Sequence, residues 1–479
     1  MTNRRTKIVA TLGPSSNKPE IIREMVKTGM DVARLNFSHG SYEDHAIVIA
    51  SLRMISEELG KPVKLLQDLQ GPKIRVGKLA GGEIQLMKGD IVHLIPEEKY
   101  QGLKDQIPVD YPFAAQEAFN GMQILLDDGF FEFRVEKISG DTLVCKVVEG
   151  GALKSRKGVN FPQCNLNLPA VTEKDLKDME FGLSKGIDWI SLSFVRNSED
   201  VIHLKKLILD RGYRKPVIAK IEKPQAIEHL DDILQEVQGI MVARGDLGVE
   251  MSTEKVPMLQ KQIIESCNRR GIPVITATQM LESMIQEPRP TRAEASDVAN
   301  AIIDGTDCIM LSGESAIGSY PIKAVEMMDK IACEVESGIQ FKSYPPSDRT
   351  KIMALSESTN SIEQVVSPTC IVVLTSSGLS AKYVASERPK TPIYAMTNNY
   401  QVYHGLNLLW GIQPVLIHDQ PETFEGLVNL AERTLQENNF ATPGDTVLIL
   451  GGIPAGNPGG TNFIKIHTIG PNSSSQHLS

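Results

Sequence analysis

The hydrophobic residues in the first two thirds of the chain fall into short apolar runs that end in polar or glycine residues. Each run is at most eight residues long and rich in Val, Ile and Leu, which is typical of strands buried on both faces of a parallel sheet. Most runs are separated by about 25–35 residues that show helical periodicity. The eight runs span residues 7–12, 32–37, 63–69, 189–194, 217–222, 239–246, 273–279 and 308–314.

Repeated strand–helix units of this kind predict an α/β fold with a parallel sheet. Eight units favour a (β/α)8 TIM barrel. The alternative on pattern alone is an open, doubly wound sheet.

The repeat is interrupted between the third and fourth runs, because residues 70–188 are far too many for a single crossover. Within this interval apolar and polar residues alternate, and Gly-Asp and Asp-Gly turns occur, as expected for antiparallel hairpins. We therefore predict a barrel domain made of residues 1–70 and 170–341, with a small β-barrel domain inserted at 71–169. The insertion would lie at the C-terminal mouth of the barrel and could act as a lid.

A third region follows the eighth unit. The pattern predicts a helix at about 321–338, a polar linker at 342–350 (KSYPPSDRT), and then further apolar runs with helical spacers. Residues 342–479 are thus predicted to form a C-terminal α/β domain. The final residues, PNSSSQHLS, are polar and are expected to fray.

Composition narrows the class of protein. The chain has 479 residues and a net charge of −9, which argues against nucleic acid or an anionic membrane as the main partner. No apolar run approaches 18 residues and no signal-peptide core is present, so we expect a cytoplasmic protein. The cysteines are scattered and are expected to be reduced, buried and structural; they are Cys145, Cys164, Cys267, Cys308, Cys333 and Cys370.

Chemically active side chains stand where the predicted barrel strands end, which is where barrel enzymes place their sites. Lys220 and Glu222 are two residues apart on one strand and should point the same way, and the same argument applies to Arg244 and Asp246. The full set at these ends is Asn36, Ser38, His39, Asp68, Lys220, Glu222, Arg244, Asp246, Thr278, Ser312 and Glu314.

Glu222 and Asp246 lie at the ends of neighbouring predicted strands and could hold a divalent cation such as Mg²⁺, which often takes one or two carboxylates. The alternative is a pair of salt bridges, Lys220–Glu222 and Arg244–Asp246. The glycines around Asp246 (RGDLG) favour a site, because they allow a ligand to approach backbone N–H groups.

Other segments suit phosphate. ARLNFSHG ends the second strand with a cation, an amide, a hydroxyl and an imidazole, and Lys73 and Arg75 follow Asp68. LTSSGLSA (374–381) follows a strand and precedes a helical stretch, which favours a phosphate pocket over a plain helix cap, and the loop GGIPAGNPGGTN (451–462) could close over it. Ser184 matches a nucleophile motif in GLSKG, but it precedes a strand instead of following one and is discounted.

Several of these segments together resemble the pyruvate kinase family. They are TKIVATLGPSS, ARLNFSHGSYEDH, DLQGPKIR, KGVNFP, AKIEKPQA, GIMVARGDLGVE and ITATQMLESMIQEPRPTRAEASDVANAIIDGTDCIMLSGESAIGSYP. The resemblance implies transfer of a phosphoryl group from phosphoenolpyruvate to ADP, which yields pyruvate and ATP. It runs through the whole barrel and preserves the order of three domains.

The resemblance also implies roles for individual residues. Lys220 would stabilise the transferring phosphoryl group and the enolate, with Thr278 near the point of proton delivery. Glu222 and Asp246 would hold Mg²⁺ (or Mn²⁺). The substrate would contact Arg34, Gly245, Asp246 and Thr278, and the nucleotide would contact Arg75, Lys157, Asn36 and His39.

One departure from the family pattern concerns the monovalent cation. Many members need K⁺ and carry an acidic residue where this chain has Lys73 and a Thr where it has Leu69, while Asn36, Ser38 and Asp68 match the remaining potassium ligands. An ammonium at Lys73 can supply the positive charge internally and repel a nearby cation. We therefore expect activity without K⁺.

The family also carries an effector site in its last domain, and this chain places Thr375, Ser376, Ser377, Gly378 and Ser380 there. A sugar phosphate or a nucleotide is the expected effector, and a homotetramer is the expected assembly. Two other classes stay open: a Mg²⁺-dependent lyase of the phosphoenolpyruvate/pyruvate group, and a catalytically silent relative, which should have lost Lys220, Glu222, Asp246 or Thr278.

Overall fold

The computed structural model describes residues 4–162, 164, 166–339, 341, 351–419, 421–454 and 460–471. The predicted linker at 342–350, residues 455–459 of the glycine-rich loop and the tail from 472 lie outside the described residues. In the part that is described, no helix combines the length and apolar character needed to cross a bilayer.

The strands of the described chain, in order, are β1 Lys7–Leu12, β2 Val32–Asn36, β3 Lys64–Asp68, β4 Glu83–Leu86, β5 Ile91–Pro96, β6 Gln106–Val109, β7 Gln123–Leu126, β8 Phe131–Ser139, β9 Thr142–Glu149, β10 Gly151–Lys154, β11 Val159–Asn160, β12 Trp189–Leu192, β13 Val217–Ile221, β14 Gly239–Ala243, β15 Val274–Ala277, β16 Cys308–Leu311, β17 Cys370–Leu374, β18 Ile393–Thr397, β19 Ile412–Leu416, β20 Thr446–Gly452 and β21 Thr461–Thr468.

The helices are α1 Pro19–Thr28, α2 Tyr42–Glu58, α3 Ala114–Glu117, α4 Glu173–Ser184, α5 Ser198–Asp210, α6 Pro224–Glu228, α7 Leu230–Glu236, α8 Arg244–Glu250, α9 Val256–Arg269, α10 Arg292–Ile303, α11 Gly313–Ala316, α12 Pro321–Gly338, α13 Lys351–Val366, α14 Leu379–Ser386, α15 Tyr400–Gly405 and α16 Phe424–Glu437. Several begin at capping boxes written in the sequence, as at Ser41/Asp44, Thr172/Asp175 and Thr291/Glu294.

Eight parallel strands close into a barrel in the order β1-β16-β15-β14-β13-β12-β3-β2, so the prediction of a (β/α)8 barrel is confirmed and the open sheet is wrong. Alternation along each strand divides the side chains between two cores. In β1, Val9 packs with Leu66, Met241 and other side chains of the barrel interior, whereas Ile8 packs with the surrounding helices. Because of this alternation, polar side chains at the C-terminal ends of the strands converge on the barrel interior.

Strands β4 to β11 lie between β3 and β12 in the chain and form a separate domain with its own core. They make a two-stranded sheet, β10-β4, and a six-stranded sheet, β11-β7-β8-β9-β5-β6. Its buried side chains include Phe133, Ile124 and Leu153. The insertion therefore folds around its own hydrophobic core and leaves the barrel intact.

The C-terminal α/β region contains a sheet in the order β19-β18-β17-β20-β21, with β21 antiparallel to β20. It packs against the N-terminal end of the barrel, opposite the ends of the strands that carry the candidate site. Leu408 enters the core of the barrel interior, Lys7 Nζ donates to Ile412 O at 2.7 Å, and Arg388 pairs with Asp307 at 3.0 Å.

Candidate active site

A cluster of buried ionic side chains lies at the C-terminal ends of β2, β3 and β13. Arg34 Nε on β2 donates to Asp68 Oδ2 on β3 at 2.8 Å. Lys220 Nζ on β13 lies 3.5 Å from Asp68 Oδ1 and 3.0 Å from Glu222 Oε1. Two cations and two carboxylates thus form a group whose charges balance before any ligand binds.

Burial and mutual charge set the ionisation of this cluster. Burial alone would lower the pKa of Lys220, but the nearby carboxylates of Asp68 and Glu222 outweigh it and raise that pKa above its usual value. Burial opposes ionisation of Asp68, and Lys220 and Arg34 more than compensate, so its pKa is lowered. Both side chains are therefore charged at neutral pH, and the Lys220 ammonium is available to stabilise negative charge.

Hydroxyl groups hold these charges in place. Ser193 Oγ accepts from Lys220 Nζ at 2.8 Å and donates to Leu69 O, while Ser191 Oγ donates to Asp68 Oδ1 at 2.7 Å. Thr11 Oγ1 accepts from Arg34 Nη1 at 2.8 Å. We did not predict roles for Thr11, Ser191 or Ser193 from the sequence. The sequence signal that could have identified them is the alternation of residues along β1 and β12, which directs these three side chains into the barrel interior.

Glu222 is fully buried, and its two oxygens differ. Oε2 accepts from the Phe194 N–H at 2.7 Å, and Phe194 has a positive φ of 54°, a strained conformation that directs this N–H at the carboxylate. Oε1 is paired with the Lys220 ammonium at 3.0 Å, but no hydrogen bond of standard geometry reaches it from the described residues. A buried carboxylate oxygen that lacks a hydrogen bond and is matched by a nearby cation has the character of a cation ligand.

The charge of Asp246 affects the pKa of the Glu222 carboxyl group. Burial raises the pKa of Glu222, Lys220 opposes that rise, and the like charge of Asp246 adds to it. Within the described residues, no group of three or more His, Cys, Asp or Glu side chains could hold a metal ion. Two carboxylates alone suit Mg²⁺, which fills its other positions with water and substrate oxygens.

The predicted same-face arrangement of Arg244 and Asp246 is wrong. β14 ends at Ala243 and both residues belong to α8, where positions two apart point in different directions. Arg244 instead pairs with Asp297 at 2.7 Å and donates to the Thr278 carbonyl at 2.8 Å. Of the two salt bridges considered as an alternative to a metal site, only Lys220–Glu222 forms.

Thr278 and Gly245 meet at the ends of β15 and β14. The Gly245 N–H donates to Thr278 Oγ1 at 2.8 Å, and that hydroxyl donates to Ala277 O at 2.6 Å. Thr278 has φ 69° and Gln279 has φ 53°. A strained turn of this kind costs on the order of 1–3 kcal/mol and is typical of functional sites.

Lys73 approaches the proposed metal ligand. Its Nζ lies 3.5 Å from Asp246 Oδ1, and its stem passes Gly158, where a Cβ would come within 3.3 Å of Lys73 Cε. Leu69 is buried in the core of the barrel and offers no side-chain oxygen. Asn36 Oδ1 accepts from the Ser38 N–H at 3.1 Å.

The expected nucleotide contacts are spread over two domains. Arg75 Nη1 donates to Arg156 O at 3.1 Å, and Lys157 Nζ pairs with Asp127 at 2.9 Å, both within the inserted region. Burial and then the charges of Arg75, Arg34 and Lys73 lower the pKa of His39. His39 therefore faces the same cationic region as the proposed substrate ligands.

The expected effector loop joins β17 to α14. Thr375 Oγ1 accepts from the Gly378 N–H at 2.9 Å, and the hydroxyl groups of Ser380 and Thr461 contact each other. Ser376 is half-buried and Ser377 is exposed. The loop is thus folded against β21 and leaves Ser377 free to face solvent.

The structure also shows the surroundings of Ser184 and of the cysteines. Ser184 ends α4 and donates to Phe181 O at 2.7 Å, as suits a helix end. All six cysteines are free, but only four are buried; Cys164 and Cys333 are half-buried.

Comparisons with known proteins agree with this geometry. The family described as "Pyruvate kinase, barrel domain" matches residues 3–325, and "Pyruvate kinase, alpha/beta domain" matches residues 353–467. The chain is 46% identical to "Pyruvate kinase 2" of Synechocystis sp. over 97% of this chain and 79% of that protein. It is 42% identical to "Pyruvate kinase" of Agrobacterium vitis over 97% and 96% of the two chains. A crystal structure of a pyruvate kinase from Cryptosporidium parvum superposes with a TM-score of 0.91 at 34% identity, covering 98% of this chain and 96% of that one.

Proposed function

The chain belongs to the pyruvate kinase family, and on that premise we propose that the buried cluster of Arg34, Asp68, Lys220 and Glu222 is its catalytic centre. The enzyme is a phosphotransferase, with phosphoenolpyruvate and ADP as substrates and pyruvate and ATP as products. The observation that supports this assignment is the Lys220 ammonium, held charged between two buried carboxylates at the mouth of the barrel.

The chemistry needs positioned positive charge more than a covalent catalyst. An oxygen of the ADP terminal phosphate bonds to phosphorus as the bond from phosphorus to the enol oxygen breaks. Arg34 binds the phosphoryl oxygens, and Lys220 stabilises the charge that develops on them and on the enolate. A proton then reaches the methylene carbon near Thr278, which completes pyruvate.

Members of this family generally use Mg²⁺, and the residues that would hold it are Glu222 and Asp246. Oε1 of Glu222, which is buried and receives no hydrogen bond from the described residues, supports this assignment. When bound, the ion would supply Lewis-acid stabilisation of phosphoryl and enolate oxygens. Mn²⁺ is an alternative with the same oxygen ligands.

Lys73 takes the place of the monovalent cation in this proposal. Its ammonium lies 3.5 Å from Asp246, where it supplies a fixed positive charge next to the metal site. Leu69 offers no side-chain oxygen to coordinate K⁺, even though Asn36, Ser38 and Asp68 remain. The enzyme is therefore expected to work without K⁺.

The two outer regions have proposed roles as well. The inserted domain carries Arg75 and Lys157, which would bind nucleotide phosphates and exclude water as the domain closes over the barrel. The loop of Thr375 to Ser380 would bind a phosphorylated effector, either a sugar phosphate or a nucleotide. A homotetrameric, cytoplasmic enzyme is consistent with the family's usual organisation.

One coupled assay tests these proposals. ATP formation from ADP and phosphoenolpyruvate is measured with Mg²⁺ in buffer free of K⁺ and Na⁺, then with KCl, and then with a panel of sugar phosphates. A Mg²⁺-dependent lyase would form no ATP, and a silent relative would show no turnover. A loss of more than tenfold without K⁺ that KCl restores would reject the role given to Lys73.

A further inference from the structure

A buried carboxylate that the proposed chemistry does not use stands at the end of α8. Glu250 is 3% exposed, and its Oε1 accepts from Asn160 Nδ2 at 2.7 Å and from Lys223 Nζ at 2.6 Å. Lys223 belongs to the barrel, whereas Asn160 is the last residue of β11 in the inserted domain. The carboxylate therefore joins two domains through one oxygen atom.

The other end of the same helix carries substrate and metal groups. Gly245 and Asp246 lie in the first turn of α8, and Glu250 is its last residue. Seven helical residues span only about 10 Å. Because so short a helix behaves as one piece, Glu250 stands at a fixed position relative to Asp246, and a group bound to Glu250 is placed relative to the metal site.

Asn160 in turn belongs to two paired chain segments, residues 74–76 and 157–160, that join the inserted domain to the barrel and are called the stem here. The Val159 N–H donates to Ile74 O at 2.9 Å, and the Val76 N–H donates to Lys157 O at 2.8 Å. Arg75 and Gly158 form a bridge between these two chain segments. Both proposed nucleotide cations, Arg75 and Lys157, are thus fixed to this paired stem.

We propose that the hydrogen bond from Asn160 to Glu250 positions the stem against α8 and thereby sets Arg75 and Lys157 at the correct place relative to the metal and phosphoenolpyruvate. This inference rests on the proposed function, since it assumes that those cations bind nucleotide. Asn160 and Glu250 are positioning residues in this scheme. A charged acceptor strengthens the bond, and burial shields it from competing water.

The first test is Asn160→Ala, which removes the donor from the stem. We expect the KM for ADP to rise about tenfold, the size of effect that one lost hydrogen bond to a charged group produces. The KM for phosphoenolpyruvate should change less than twofold, because barrel residues alone set it. The matched control is Lys223→Met, which removes the other partner of Glu250 but leaves the stem contact, so its KM for ADP should stay within twofold of wild type.

A second pair of variants tests the acceptor in case Asn160→Ala does not fold. Glu250→Gln keeps an oxygen for Asn160 but loses the charge, so its KM for ADP should rise less than that of Glu250→Ala, which loses the acceptor altogether. Backbone amide exchange at residues 157–160 should be faster in Asn160→Ala and Glu250→Ala than in wild type.

Two results would overturn the inference. One is an Asn160→Ala enzyme whose KM for ADP is within twofold of wild type, and the other is an equal rise in both KM values. Failure of the proposed function is a separate result, because the wild-type enzyme would then form no ATP from ADP and phosphoenolpyruvate.

Discussion

Thr11 and Arg34 lie opposite each other in the register of β1 and β2, and the Thr11 hydroxyl accepts a hydrogen bond from Arg34 Nη1 at 2.8 Å. The same hydroxyl donates to Leu311 O on β16 at 2.8 Å. The guanidinium proposed to bind substrate phosphate is therefore anchored to the strand on each side of it, by Thr11 and by Asp68.

This anchoring predicts a defect in substrate binding for Thr11→Val, which keeps the shape of the side chain but removes the hydroxyl. We expect the KM for phosphoenolpyruvate to rise by about tenfold, because a hydrogen bond to a charged group is worth roughly 1.5–3 kcal/mol. Thr11→Ser should restore most of the affinity. Steady-state kinetics of the two variants check this, and equal KM values for Thr11→Val and wild type would contradict it.

Lys220→Met should fold but turn over slowly. The substitution removes the ammonium that stabilises phosphoryl and enolate charge, and losing one such donor typically lowers kcat by at least ~10². The coupled assay measures the loss, and circular dichroism checks the fold. Lys177→Met, which changes an exposed lysine on α4, is the control and should keep full activity. Near-normal turnover of Lys220→Met would reject its proposed role.

A double variant tests the role of Lys73 by making the enzyme depend on K⁺. Leu69→Thr combined with Lys73→Glu restores the residues that K⁺-dependent members carry, and it removes the ammonium near Asp246. We expect activity to fall more than tenfold in buffer free of K⁺ and to recover with KCl. The measurement is kcat as a function of KCl concentration, with wild type alongside. An enzyme indifferent to KCl after both changes would contradict the assignment.

A lysine far from the site gives a prediction about stability. Lys64 is the first residue of β3, at the N-terminal end of the barrel, and is 1% exposed. Its Nζ lies 4.6 Å from the Trp189 ring centroid. Burial lowers the pKa of Lys64 to about 7, Asp188 partly opposes this, and Arg53 and Lys215 add to it. The unfolded chain titrates near 10.5, so between about pH 7 and pH 10.5 the unfolded state binds more protons.

Between these two pH values the free energy of unfolding rises with pH, and Lys64 contributes about 1.4 kcal/mol per pH unit to that rise. Below pH 7 the folded protein bears the full free-energy cost of burying the charged Lys64 ammonium. Lys64→Met should therefore raise the Tm at pH 7.5, and the gain should shrink at pH 9.5. Thermal unfolding at the two pH values measures this, with Lys27→Met on the exposed side of α1 as control. A gain that does not depend on pH would show that ionisation of Lys64 is not the cause.

The sequence alone predicted the elements that depend on local periodicity. The apolar runs identified the eight barrel strands, and α12 occupies the residues predicted for a helix at 321–338. The change to alternating residues led to the prediction of an insertion at 71–169. Lys220, Glu222 and Asp68 were also predicted as candidate site residues, since buried strands rarely end in ionisable residues. These features are local because burial and backbone propensity act residue by residue along the chain.

Only the tertiary structure decided which side chains meet. Arg244 pairs with Asp297 and not with Asp246, because β14 ends one residue before it and α8 turns the two side chains apart. Thr11 reaches Arg34, and Glu250 reaches Asn160, across intervals that no sequence pattern links. Such contacts depend on how distant segments pack, and a polar residue in a buried position shows that it needs a partner without showing which one.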